Sequence, residues 1–335
     1  MSSRPRADRA APDDQLRADR DVADGRARGA RAGALSGRIV VVGDVITDVL
    51  AVHSAPVAVG TDTPAWITLT GGGSAANTAA WLAAIGVPVT LAGVVGADAA
   101  GTDRIEELAL GGVDCVIRQA PEARTGTVMV LSRAGERSML TDRGANLLLS
   151  TDDIDAAFAS APDAVHLHLS GYVLFDEVSR IAGRYALRVA RERGLTTSVD
   201  AASVGPLRQM GGEVFLAWVR GTDVLLANSD EAAELPAALA EQIRYPVIKR
   251  GPHGAVWTTP HLEVPAEPTV VVDVTGAGDA FAAGLLAAWC AGADPEEALR
   301  GGTRLAARAV STAGARPVPV GAALSELPEV SLPRR

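Results

Sequence analysis

The stretch DVTGAGDAFAAGLLAAW, Asp273 to Trp289, runs turn-forming residues straight into an apolar helical pattern, with one carboxylate, Asp279, at the seam. Gly276, Ala277 and Gly278 leave backbone N–H groups bare at the start of that helix. Converging donors and the helix dipole make such a turn an anion site, and the glycines let a bulky anion reach the backbone. An aspartate in the same turn would repel a resident anion. It makes chemical sense if a hydroxyl lies between the two, losing its proton to Asp279 while attacking a phosphorus held by the turn. The same residues also suit a plain helix start, where Asp is a favoured N-cap. Local physics leaves both readings open.

A second glycine segment, GGGSAANTAAWLAAIG at 71–86, has the formal G-x-G-x-x-A spacing of a dinucleotide fingerprint at Gly71, Gly73 and Ala76. That fingerprint normally follows a first buried strand and needs an acidic residue about 20 positions on, at the end of the next strand. Asp98 instead falls beyond a glycine in a loop, which argues against NAD binding and a nicotinamide-linked oxidoreductase. No G-x-x-x-x-G-K-[ST] is present, so a P-loop NTPase is not supported. His166 and His168 share one face of a strand but have no third ligand nearby, and read as core rather than zinc ligands. Trp81 and Trp289 sit in helical patterns and read as core. Lys249 is the only lysine in the chain.

The elements that must position these residues alternate. RIVVVG, VPVTLAGVVG, DAVHLHLS, TTSVDAAS, DVLLANSDE and YPVIKRG read as buried strands, with amphipathic helices among them. That rhythm predicts an α/β fold: a mostly parallel sheet with helices on both faces. Strand-like runs at about 47–70 and 126–141, the second a hairpin around RAGE, break the rhythm and are expected to form a small β flap. Residues 1–36, rich in Arg, Asp, Ala and Gly, are expected to be a disordered tail, with a domain over 37–325 and a short tail over 326–335.

Bulk composition limits the partners. A net charge of −9 over 335 residues disfavours general nucleic-acid binding, which needs a basic surface. No 18-residue apolar run and no secretory h-region are visible, so neither a membrane span nor export is expected. Cys115 and Cys290 lack metal-ligand spacing and read as free thiols of a cytoplasmic protein.

Taken together, the motifs resemble those of the ribokinase-like (PfkB) family of carbohydrate and nucleoside kinases, from about residue 38 to about 320. GGGSAANTAAWLAAIGVPVTLAGVVGADAAG looks like its N-terminal signature and DVTGAGDAFAAGLLAAW like its C-terminal one. NSDE at 228–231 resembles its N-x-x-E motif, and IKRGPHGA its nucleotide-binding strand and loop. The resemblance implies an ATP- and Mg2+-dependent kinase with the odd strands as a lid over the sugar. It implies Asp279 as catalytic base and Gly276, Ala277 and Gly278 as the anion hole. Asp48, Gly72, Gly73 and Asn77 then match sugar contacts, with Asp44 set beside them. Asn228, Lys249, Gly251 and Gly254 line the nucleotide side, Glu231 organises Mg2+ through water, and Asp273 with Thr275 match a monovalent-cation (K+) site of some members. A homodimer through the lid is also expected, because so small a sheet cannot bury both faces alone.

Two departures count against ribose itself: Ile46 stands where ribokinases have Asn, and Gly72-Gly73-Ser74-Ala75 replaces Gly-Gly-Lys-Gly. Arg143 in DRGAN either reaches into the site, where it would suit an acidic sugar or a phosphate, or is an exposed turn residue. Nucleobases want an aromatic shelf, and the flap offers only Trp66, so a free sugar or sugar acid is favoured over a nucleoside. A non-catalytic sugar sensor would lack the base or the anion hole, and both are present.

Overall fold

The computed structural model describes residues 37–133 and 136–317. The tails expected over 1–36 and 326–335, and the RAGE turn at 134–135, lie outside the described residues.

Two sheets organise the chain. The large one has nine strands: β1 (Arg38–Val42), β4 (Val89–Gly96), β5 (Asp114–Ala120), β8 (Ala164–Ser170), β9 (Thr196–Asp200), β10 (Val224–Asn228), β11 (Tyr245–Lys249), β12 (Ala255–Thr258) and β13 (His261–Val264). Their order is β13-β12-β11-β10-β9-β8-β1-β4-β5, parallel from β11 to β5, with β12 and β13 antiparallel at one edge. Strand β1 explains the architecture. Its Ile39 and Val41 join one buried cluster and its Val40 and Val42 another, so alternate side chains feed two cores on opposite faces. A strand apolar on both sides belongs in mid-sheet under two helix layers.

The histidines of β8 alternate with Leu167 and Leu169 and face the helix Ala277–Cys290, where His166 meets the Trp289 ring edge-on at 5.6 Å. Both are buried and hydrogen-bonded: His166 to the hydroxyls of Thr196 and Ser198, at 2.8 Å each, and His168 to Ser198 at 2.7 Å. Burial pushes them down to about 3 and about 4, so both are neutral core groups.

The smaller sheet has the order β3-β2-β6-β7, from β2 (Ile46–Val52), β3 (Trp66–Gly72), β6 (Gly126–Arg133) and β7 (Glu136–Asp142). These are the runs that broke the alternating rhythm. Register sorts its side chains into rows: Thr70, Asp48, Val128 and Thr141 lie side by side across four strands, and Leu69, Val49, Met129 and Leu140 form the next row. Neighbouring rows point to opposite faces. Asp48 is turned towards Gly72, whereas Leu69, Met129 and Leu140 of the next row are exposed.

Candidate active site

The site gathers at the carboxyl ends of the parallel strands. Asp44 follows β1, Ser170 ends β8, Asp200 ends β9, Asn228 ends β10 and Lys249 ends β11. Beside β1 the order of strands reverses, with β4 on one flank and β8 on the other. A crevice outside the strand ends at such a switch point is where open α/β sheets take ligands.

Beside these strand ends, with Gly278 next to Lys249, lies the turn before the helix Ala277–Cys290. Gly276 caps it in the left-handed region, φ +74°, and a Cβ there would run into the Ala315 backbone. Asp279 is in the first turn but does not cap the helix. Its Oδ1 accepts from Ser74 Oγ and its Oδ2 from Asn77 Nδ2, both at 2.8 Å and both from the neighbouring helix Ser74–Ala84. The plain capping reading of this aspartate therefore fails. Burial pushes its carboxyl up to about 7, with the Asp200 charge adding to the rise, while the donors Asn77 and Ser74 and the Lys249 ammonium hold it down. A carboxylate poised near neutrality is suited to taking a proton.

One flank of the site is built around Asp48 and Asn77. Gly72, at the end of β3, has no room for a Cβ because the Asp48 carboxylate occupies that space. Gly73 is the N-cap of the helix carrying Ser74 and Asn77. Burial pushes Asp48 up to about 6, opposed by the Arg316 and Arg104 guanidiniums and reinforced by Asp44. Asp44 is buried, accepting from Ser170 Oγ at 2.8 Å and from Ser74 N at 2.9 Å. It thus holds the start of the Ser74–Ala84 helix. Arg143, at the end of β7, lies over the Tyr172 ring at 4.6 Å.

On the other side, Lys249 Nζ donates to Asp200 Oδ2 at 2.6 Å, with side chains only 14% and 5% exposed. Ala202, at φ +68°, donates its N–H to the other Asp200 oxygen at 3.0 Å. The Lys249 ammonium stands beside the Gly276–Gly278 turn: a Cβ on Gly278 would meet it at 3.3 Å. Asn228 and Glu231 form a reciprocal capping box at the end of β10. Glu231 is buried and raised by that burial, with Asp200 adding to the rise and Lys249 opposing it. Gly251 and Gly254 bracket the tight turn from β11 into β12. Asp273 Oδ1 accepts from Thr275 N at 2.9 Å and Oγ1 at 2.7 Å, and its Oδ2 accepts from Gly314 N at 3.1 Å. Among the described residues no cluster of three His, Cys, Asp or Glu side chains could hold a metal ion.

Four participants escaped sequence reading. In the sequence Ser74 stands out only as a departure from Gly-Gly-Lys-Gly. Asp200 carries a signal, an acidic residue ending a buried strand. Tyr172 follows a strand end. Arg316 had no signal: it lies after the last helix, yet its Nε donates to Asn77 Oδ1 at 3.2 Å and its Nη2 to the Gly72 carbonyl at 2.8 Å.

Comparison with known proteins identifies the family. The profile of the pfkB family carbohydrate kinases matches residues 36–320, and the chain belongs to that family. It is a kinase of the ribokinase-like fold, acting on sugars or nucleosides. An ATP-dependent ribose-1-phosphate kinase of Halopiger xanaduensis is 34% identical over 265 residues, spanning 76% of this chain and 85% of its own. An adenosine kinase from Sinorhizobium meliloti has a structure with TM-score 0.75 and 25% identity, covering 84% of this chain and 96% of that one. A putative ribokinase II from E. coli, solved with ATP and Mg2+, gives 0.73 and 25%, covering 84% and 94%.

Proposed function

We propose that the chain transfers the γ-phosphoryl group of ATP to a hydroxyl of a sugar or sugar acid, with Asp279 as general base and the Gly276–Gly278 turn as anion hole. The observation that carries this is the placement of Asp279. Its carboxylate is buried between donors of the acceptor side, Ser74 and Asn77, in the same turn as the bare amides and within the field of Lys249.

An acceptor hydroxyl gripped by Asp48 and Asn77 gives its proton to Asp279 as its oxygen attacks the γ-phosphorus, and the bond from that phosphorus to the bridging oxygen breaks, releasing ADP. The amides of the turn and the Lys249 ammonium receive the negative charge on the migrating group. Asn228, Gly251 and Gly254 border the nucleotide. Glu231, beside Asp200, would hold Mg2+ through water, and the ion supplies charge neutralisation on the phosphates. Asp273 and Thr275 are the proposed monovalent-cation (K+) site, joined to the C-terminal segment through Gly314. Two copies pair through the outward row Leu69, Val49, Met129 and Leu140, since an apolar row across an exposed sheet is a liability in a monomer. Cytoplasmic residence is supported by two free thiols, both raised by burial. No helix among the described residues is long and apolar enough to cross a membrane.

A nucleoside is the second reading. Trp66, 63% exposed, lies on the same face of the lid as Asp48 and offers one aromatic shelf.

The test is a phosphoryl-transfer screen with ATP and Mg2+ over pentoses, hexoses, sugar acids, sugar phosphates and nucleosides, with products read by 31P NMR. A phosphorylated carbohydrate supports the proposal. Tight ATP binding with no transfer to any polyol overturns it.

A further inference from the structure

We propose that Arg143 and Tyr172 form an anion subsite at the border of the acceptor pocket, so that the acceptor is a sugar bearing a phosphate monoester or a carboxylate rather than a neutral sugar. This rests on the kinase reading above.

Arg143 is not an idle turn residue. Its carbonyl accepts from Asn146 Nδ2 at 2.9 Å, and the same amide clasps both backbone groups of Val45, accepting from its N at 2.8 Å and donating to its O at 3.1 Å. The loop carrying Arg143 is thereby fastened to the residue next to Asp44. Tyr172 arrives from the other flank, two residues beyond Ser170, whose hydroxyl donates to Asp44 at 2.8 Å. Its phenol is hydrogen-bonded to Ser203 and is raised first by burial, then by the charges of Asp44 and Asp279, so it lies within the field of both carboxylates.

Charge selects the ligand class. The pocket already holds the carboxylates of Asp44, Asp48 and Asp279, so an anionic acceptor needs a cation that is not already spent. Among the described residues, Lys249 is paired with Asp200, and Arg104 and Arg316 share Glu107 at 3.1 Å each. Arg143 instead engages the Tyr172 ring at 4.6 Å, and among the described residues no carboxylate pairs with its guanidinium. A guanidinium held over a ring keeps its N–H edge for a planar carboxylate or a phosphate, which it binds through two parallel bonds. The Tyr172 hydroxyl adds a further polar group beside it.

The experiment compares matched acceptors with the full-length protein, ATP and Mg2+: ribose against ribose 5-phosphate and ribose 1-phosphate, and glucose against gluconate and glucose 6-phosphate. Wild-type kcat/KM should favour an anionic member over its neutral parent by about tenfold to a hundredfold, the usual worth of a hydrogen-bonded charge. The phosphate and carboxylate arms decide which anion is read. In Arg143→Ala that ratio should collapse towards one, and Arg143→Lys, which keeps charge but loses the fork, should fall between. The wild-type ratio stands as a test even if a variant does not fold. A wild type that prefers neutral sugars, or a ratio unmoved in a folded Arg143→Ala, overturns the subsite and leaves the kinase reading intact. Absence of transfer to every acceptor overturns the kinase reading itself.

Discussion

Asn77 Nδ2 donates to Asp279 Oδ2 at 2.8 Å, and this bond has a single possible polarity because the other end of the amide is occupied by Arg316 Nε, a pure donor, at 3.2 Å. An arginine far along the chain thus decides which way an amide presents itself to the carboxylate proposed as base.

Replacing that arginine should expose the dependence. In Arg316→Gln the Asn77 amide is free to turn its oxygen towards Asp279. The limb of the pH–rate profile set by Asp279 should move to higher pH, and kcat should fall by about tenfold, the worth of one hydrogen bond to a charged group. KM for ATP should stay within about twofold of wild type, a change of under ~0.5 kcal/mol. A merely structural arginine would lower the melting temperature and leave the pH profile where it was.

Asp279→Asn keeps the shape and removes the proton acceptor. Turnover should drop by about 10²–10⁴-fold with ATP affinity retained or slightly improved. In the wild type, kcat/KM should decline as pH falls below about 7, where the carboxylate takes up its proton. Stability runs the other way. The carboxyl's ordinary value is 3.8, so between that and about 7 the folded state holds more protons than the unfolded state, and stability falls as pH rises through the interval. At pH 8 the variant should therefore melt at or above wild type. Retention of more than about a third of turnover, a loss too small for a missing general base, sinks the catalytic role.

Lys249 and Asp200 form a buried pair, so each single replacement leaves an uncompensated charge. Lys249→Met should destabilise the fold by about 3–5 kcal/mol and raise KM for ATP. Adding Asp200→Asn should restore most of the stability and none of the activity. If activity returns with stability, the pair is scaffolding only.

The outward row of the lid predicts the assembly. Leu69→Glu should convert a dimer to a monomer in sedimentation at micromolar concentration. A wild-type protein already monomeric and fully active under those conditions rules the interface out.

What the sequence made legible follows from how local each feature is. The parallel core was readable because β1 is apolar on both faces within five residues. The glycine turn and Asp279 are visible as a unit because bare amides, dipole and carboxylate lie within one helical turn. Asp48 and Lys249 came from motif order and not from chemistry visible at either position. The partners that set the electrostatics were not legible: Ser74 and Asp279 stand 205 positions apart, Arg316 and Asn77 239. No periodicity encodes a contact between separate helices, and a lone arginine after the last helix has the composition of any surface turn. Asp279 also shows why a plain cap is a tempting reading, since sequence alone does not show that its oxygens are taken by another helix.

The only lysine of these 335 residues is the one buried at the proposed nucleotide side. In labelling terms, the chain carries a single side-chain amine, placed where ATP would cover it. An amine-directed acylating reagent has no surface lysine on which to be consumed. Burial alone would favour the neutral amine, but the Asp200 and Glu231 carboxylates hold Lys249 protonated, so the folded protein should resist acylation. Uptake beyond the N-terminus, followed by intact mass, therefore counts molecules in which the pair has opened.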